Sequence, residues 1–313
     1  MKNPLKSLVK RVIKSAAPYI WLCLQEVQEA QAAAPVDVPV DNSYAWLTHA
    51  FNELMKDPVC ARRCEYAWGV AQAAALGKVL GLDRVSVVEF GVAGGYGLLC
   101  MERCAALIER NAGIGIDVYG LDSGVGLPRP VDYRDQPNMW FEGQLPMNRD
   151  VLEQELDRAQ LRIGFLEETI AGFMAERPAP IAFVSVDVDL YSSTRDALTI
   201  FRGDYDLLLP RVICYFDDIC GHSYSDFTGE RLAISEFNDA HPNRKLSPIY
   251  SLRHFVPSAH RAHVGWDGIY FAHFYDHPLY NKPDSLKKAV RVDEKGNVYR
   301  ESFDSRQKSE VSA

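Results

Sequence analysis

The residues best suited to chemistry in this chain are acids that come in close pairs. Asp187 and Asp189 follow the apolar run 181–186, and Asp217 and Asp218 follow the apolar run 211–216. Two carboxylates about 4 Å apart repel by roughly 4 kcal/mol at an effective dielectric constant of 20. Such pairs coexist by taking up protons, by dispersing into water, or by holding a cation. A donor set made only of oxygens is hard, which favours Mg²⁺, Mn²⁺ or Ca²⁺ over Zn²⁺. Two further acids stand in comparable places: Glu89 in the run 85–90 and Asp122 after the run 116–121.

For these acids to meet, the runs that carry them must be neighbouring strands. The runs 85–90, 116–121, 161–165, 181–186 and 211–216 are short and apolar, and helical spacing appears between them at 98–110, 148–159, 169–176 and 194–201. This alternation predicts a doubly wound, mostly parallel α/β sheet of the Rossmann-like kind. Ligands bind such sheets outside the carboxyl ends of the strands, where all six acids fall. If its strand persists, Asp187 and Asp189 face the same way. A helix over 229–240, a strand over 269–274 open to an antiparallel place in the sheet, and a hairpin of 290–292 with 298–299 complete the pattern. The expected organisation is a helical extension over 1–80, the α/β domain over 81–285, and a polar tail over 286–313.

Composition narrows the partners. The net charge is −8, from 34 Lys and Arg against 42 Asp and Glu, so the chain lacks the basic footprint that nucleic acid requires. The seven cysteines include no C-x-x-C; Cys60 with Cys64, and Cys100 with Cys104, each fall on one helix face. They read as apolar helix residues in a reducing compartment, which points to the cytoplasm. Lys2, Lys6, Lys10, Arg11 and Lys14 mark a basic start. It is expected to be a solvated helix, with peripheral membrane contact or a cleaved leader as the alternatives. His254, His260, His263, His273 and His277 have no spacing diagnostic of zinc and are expected on the surface or in an acceptor pocket. The long segment 123–148, rich in proline and aromatics, reads as a lid or a packed excursion.

The turn after the first strand, Glu89-Phe90-Gly91-Val92-Ala93-Gly94-Gly95, lacks the G-x-G-x-x-G spacing of a dinucleotide site. It is similar to the acid-x-Gly-x-x-Gly turn of class I methyltransferases, which cradles S-adenosylmethionine. Glycines admit close backbone approach, and an acid suits the cationic methionyl part. Asp122, at the end of the second strand, is placed to accept from a ribose diol.

Taken together, the chain from about 87 to 274 resembles the macrocin O-methyltransferase family, which methylates sugar hydroxyls on macrolides and related natural products. The resemblance rests on VEFGVAGG, GLDSGVGLP (120–128), VDVDLYSSTRDAL (186–198), YFDD (215–218) and GERLAISEF (229–237). It implies a metal-dependent O-methyltransferase using S-adenosylmethionine and usually Mg²⁺. Asp187, Asp217 and Asp218 would then be metal ligands and Asp189 the general base, with the roles of Asp187 and Asp189 exchangeable; His222, shortly after the acidic pair in a stretch without a clear counterpart in the family, is an alternative base. Glu89, Gly91, Gly94, Gly95, Asp122 and Ser123 would contact the cofactor. The acceptor would be a hydroxylated small molecule or glycan, and the chain could form a homo-oligomer. Leu209-Pro210-Arg211 stands where the family commonly has Gly-Gly. The other readings of the same sheet edge are a nucleotide-dependent oxidoreductase or sugar-modifying enzyme, and a non-catalytic binding module of methyltransferase shape.

Overall fold

The structure is a computed structural model that describes residues 45–221, 224–281, 289–292 and 298–301. The basic N-terminal segment and His222 lie outside the described residues.

Three helices precede the sheet: α1 (Ala45–Leu54), α2 (Pro58–Arg62) and α3 (Cys64–Val79). Asp57 caps α2 by accepting from Val59 N, and Pro58 takes the first helical position, where a missing N–H costs nothing. Helix α3 is buried on almost every side, because α1 and α4 cover it on one side and β4 and β5 on the other. It therefore shows no polar stripe.

The strands are β1 (Arg84–Phe90), β2 (Gly115–Asp122), β3 (Gln160–Ile163), β4 (Ile181–Val186), β5 (Leu208–Phe216), β6 (Arg244–Pro248) and β7 (Ile269–Phe274). Between them run α4 (Tyr96–Ala112), α5 (Arg149–Glu155), α6 (Leu166–Ala175), α7 (Tyr191–Ala197) and α8 (Gly229–Ala240). Their order in the sheet is β3-β2-β1-β4-β5-β7-β6, with β7 antiparallel to both its neighbours. This is the mostly parallel, Rossmann-like sheet of the class I methyltransferase fold. β4 and all but the first residue of β1 are buried, as central parallel strands must be.

Two details differ from the sequence expectation. β6 is polar (RKLSP) and half-buried at the sheet edge, so it carries no apolar run to betray it. Leu209-Pro210-Arg211 lies inside β5 rather than in a turn before it, at a register shift against β4. Proline fits a strand at such an irregularity, where its missing N–H breaks no regular ladder. Further on, β8 (Ala289–Val292) and β9 (Val298–Glu301) pair antiparallel, as the hairpin pattern anticipates. No helix among the described residues is long and apolar enough to cross a membrane.

Because β1, β2, β4 and β5 run parallel, their carboxyl ends open on one edge. The chain order reverses between β1 and β4, and a crevice forms there. Gly91 sits in that crevice with φ of +79°, and a Cβ on it would lie 1.7 Å from the Asp187 carbonyl oxygen. Gly91→Ala is expected to lower the unfolding free energy by at least about 1–3 kcal/mol. An unchanged urea midpoint would contradict this packing.

Candidate active site

At the crevice lies a cavity of about 540 Å³ whose lining includes the glycine-rich turn, Asp122, Asp187, Asp189, Asp217 and Asp218. All six acids singled out in the sequence, together with Gly91, Gly94, Gly95 and Ser123, line it.

On one side the turn between β1 and α4 is clamped by Asp122. Its Oδ2 accepts from Val92 N at 2.8 Å and Ala93 N at 3.0 Å, and its Oδ1 accepts from Gly124 N at 2.6 Å. A carboxylate offers about four lone-pair sites, so one on Oδ1 remains for a ligand. Ser123 is bound inward, donating to Gly126 O at 2.7 Å and accepting from Val125 N at 3.1 Å. Gly95 ends the turn at φ of +81° and starts α4 without any side-chain cap. Gly94 faces open space.

Glu89 is buried beneath the turn. Its Oε1 accepts from Tyr66 Oη at 2.9 Å, and Tyr66 Oη accepts from Ser185 Oγ at 2.6 Å. Its Oε2 has no hydrogen-bond partner. Burial pushes its pKa up to about 8, although Tyr66 opposes the shift.

The other side holds the paired aspartates. β4 stops at Val186, so the strand period does not carry through Asp187 and Asp189 as expected. Asp189 instead adopts φ of +61°, a left-handed conformation that Asp tolerates better than most residues. Burial, then the charges of Asp218 and Asp217, push Asp189 up to about 7. Asp187 is raised well above the usual range by burial and by Asp217. Asp218 is pushed up to about 6, first by burial, with the Tyr224 hydrogen bond at 2.5 Å acting against it.

The compensating groups are the ones sequence reasoning misses. Arg63 Nη1 donates to Asp217 Oδ1 at 3.1 Å, and Nη2 lies 3.5 Å from Asp187 Oδ2. Burial works against the Arg63 charge, yet Tyr66, Asp187 and Asp217 raise its pKa. Tyr215 Oη donates to Asp217 Oδ1 at 2.6 Å; Glu230 adds a further buried acid, its Oε2 accepting from Asp218 N at 2.9 Å. Tyr215 was legible, two residues before Asp217 in YFDD; Arg63 had no signal beyond its charge. A guanidinium thus carries part of the positive charge that the sequence assigns to an ion.

The donor set fits a hard divalent cation in kind: carboxylates only, from the ends of two neighbouring strands, with Asp218 Oδ2 buried and lacking a hydrogen-bond partner. In spacing it is open. Among the described residues, no three of these aspartates bring oxygens within 4.8 Å of one another.

The remaining expectations divide. Segment 123–148 walls the cavity with Trp140 and Leu145 and is anchored by buried Asp135, which accepts from Ser192 N at 2.7 Å, while Val131, Tyr133 and Phe141 stay exposed. None of the five C-terminal histidines lines it. His277 is buried against Tyr205 O, and His273 meets the Tyr280 hydroxyl. The described cysteines are free and mostly buried, as apolar residues would be.

The sequence matches no protein-family model and no curated protein. Among solved structures it is similar to the O-methyltransferase NovP, with 18% identity, 64% of this chain and 77% of that chain covered, and a TM-score of 0.45. It is also similar to CalS11, a calicheamicin methyltransferase, with 19% identity, coverage of 77% and 95%, and a TM-score of 0.47. A third is the O-methyltransferase TomG from Streptomyces achromogenes, with 12% identity, coverage of 76% and 92%, and a TM-score of 0.39.

The raised acids set a pH dependence. Glu89, Asp189 and Asp218 rise from ordinary values of 4.5, 3.8 and 3.8 to about 8, 7 and 6 in the fold. The stability their protons confer is complete below the ordinary values and is lost as pH rises through the folded ones. Each contributes a slope of about 1.4 kcal/mol per pH unit inside its window. Urea unfolding between about pH 4 and pH 8 is expected to show falling stability, and Glu89→Gln to flatten the upper part of the fall. An identical profile in the variant would count against a protonated Glu89.

Proposed function

We propose that this chain is an S-adenosylmethionine-dependent, Mg²⁺-dependent O-methyltransferase acting on a hydroxyl of a sugar or other small molecule in natural-product or glycan biosynthesis. The observation that carries this is the meeting, in one cavity, of a glycine-rich turn fit for the cofactor and an acidic cluster fit for the acceptor.

The cofactor side supports the reading atom by atom. The uncapped first turn of α4 presents N–H groups suited to a carboxylate. Asp122 keeps one acceptor site for a ribose hydroxyl, and the unpartnered Oε2 of Glu89 suits the positive charge of the methionyl part. Gly94 leaves space where a side chain would intrude.

On the acceptor side, Asp189 is the base. A group with pKa near 7 is well matched to taking a proton at neutral pH. Its left-handed backbone is the kind of strain that proteins retain at working sites. The hydroxyl proton passes to Asp189 as the oxygen–methyl bond forms and the sulfonium–methyl bond breaks, leaving neutral S-adenosylhomocysteine. Asp187, Asp217 and Asp218 would hold the cation, which supplies Lewis acidity toward the acceptor hydroxyl. Arg63 keeps Asp187 and Asp217 oriented. Trp140 brings an indole N–H that is buried without a partner.

Asp217→Ala and Asp218→Ala are expected to abolish methyl transfer to candidate sugars and catechols while S-adenosylmethionine binding, read by calorimetry, stays within a few-fold of the parent. EDTA is expected to abolish turnover and Mg²⁺ to restore it; full activity in EDTA would remove the metal from the scheme. Gly94→Leu is expected to weaken S-adenosylmethionine binding by more than about tenfold, or about 1.4 kcal/mol, with thermal stability unchanged. Unaltered affinity in that variant would move the cofactor elsewhere.

A further inference from the structure

Where α3 begins, a second set of donors meets that methyl transfer does not use. Cys64 and Glu65 open α3, and His263 precedes the 3-10 turn Val264–Gly268 that leads into β7. One donor atom from each, a thiol sulfur, a carboxylate oxygen and a ring nitrogen, lies within 4.8 Å of the other two. Cys64 is 1% and Glu65 0% exposed. Neither Glu65 oxygen takes part in a hydrogen bond. The basic side chains nearest it are His263, with Nδ1 3.3 Å from Oε2, and Arg63, with Nη1 3.9 Å from Oε1. His263 Nδ1 accepts from Gly265 N at 3.1 Å, so its lone pair is engaged by that N–H and it donates no proton to Oε2. Nδ1 and Oε2 stand 3.3 Å apart, the carboxylate buried and the imidazole 35% exposed.

We propose that Cys64, Glu65 and His263 form a Zn²⁺ site. Tetrahedral Zn²⁺ with bonds of about 2.0–2.1 Å to nitrogen and oxygen sets those two ligands about 3.3–3.4 Å apart. The Nδ1 to Oε2 separation is 3.3 Å. One thiolate, one carboxylate and a neutral imidazole balance the ion's charge, so the buried site is neutral as a whole. In the ion's absence burial pushes the Cys64 thiol up to about 12 and raises Glu65 as well. Zn²⁺ takes the Nδ1 lone pair in place of the Gly265 N–H. Gly265 itself leaves the room: a Cβ there would lie 3.0 Å from both Glu65 Cδ and His263 Nδ1. The part-exposed His263 side leaves the fourth position to water. A thiolate and an imidazole also separate this site from the all-oxygen cluster, since they select a softer metal. The ion ties α3 to the segment before β7 and neutralises Glu65, leaving Arg63 to Asp187 and Asp217.

The rival soft site is Cys60, Cys100 and Cys104, whose sulfurs also lie within 4.8 Å of one another. The full-length chain, reduced and stripped with chelator, is titrated with Co²⁺ and followed by visible and near-ultraviolet absorption. The expected result is saturation at one Co²⁺ per chain, with tetrahedral d–d bands and charge transfer of single-thiolate strength, displaced by one Zn²⁺. His263→Ala and Cys64→Ser are expected to weaken binding by at least about tenfold, and Cys60→Ser to leave it unchanged. The absence of tetrahedral bands, or three-thiolate charge transfer lost in Cys60→Ser and kept in Cys64→Ser, would overturn the proposal. Should Cys64→Ser fail to fold, the single-thiolate intensity in the parent and the part-exposed His263→Ala variant decide the matter.

Discussion

Negative charge gathered on one edge of a sheet, with little water to screen it, is the constraint that organises this molecule. Asp187, Asp189, Asp217 and Asp218 share that edge with buried Glu89 and Glu230. At low dielectric their repulsion would open the crevice unless each charge were met or removed. The fold distributes the answer. Arg63 bridges Asp187 and Asp217, the hydroxyls of Tyr66, Tyr215 and Tyr224 each serve a different carboxylate, and burial raises the pKa of Asp187 and Glu230. Elements that look like ordinary packing, such as α3 and the segment after β5, are thus also carriers of compensation.

Much of this arrangement was legible before any coordinates. The strand runs are short, apolar and separated by helical spacing, so their carboxyl ends could be counted off and the acids placed there. The glycine turn declared itself by composition. What stayed hidden has physical reasons. Arg63 and Tyr66 flank the start of a helix buried on nearly all sides, and such a helix has no periodic stripe against which a functional side chain stands out. Asp189 leaves the strand period because the chain turns sharply after Val186, and no residue type announces that turn. β6 is half-buried and polar, with the Lys and Pro that suit a sheet edge but no apolar run to announce a strand.

Asp122 shows how one residue serves two ends. The sequence placed it as a ribose acceptor, and the structure has it holding the backbone of the glycine turn by three N–H groups. These are compatible, since the carboxylate retains an acceptor site. The same side chain that shapes the turn can therefore report whether the turn is filled.

Arg63 and Tyr66 leave the chain three residues apart, one toward the paired aspartates and the other toward Glu89. The two walls of the crevice consequently hang from a single helical turn. A rigid shift of α3 would move Arg63 and Tyr66 together, so the acids on the two walls would be displaced as one rather than independently.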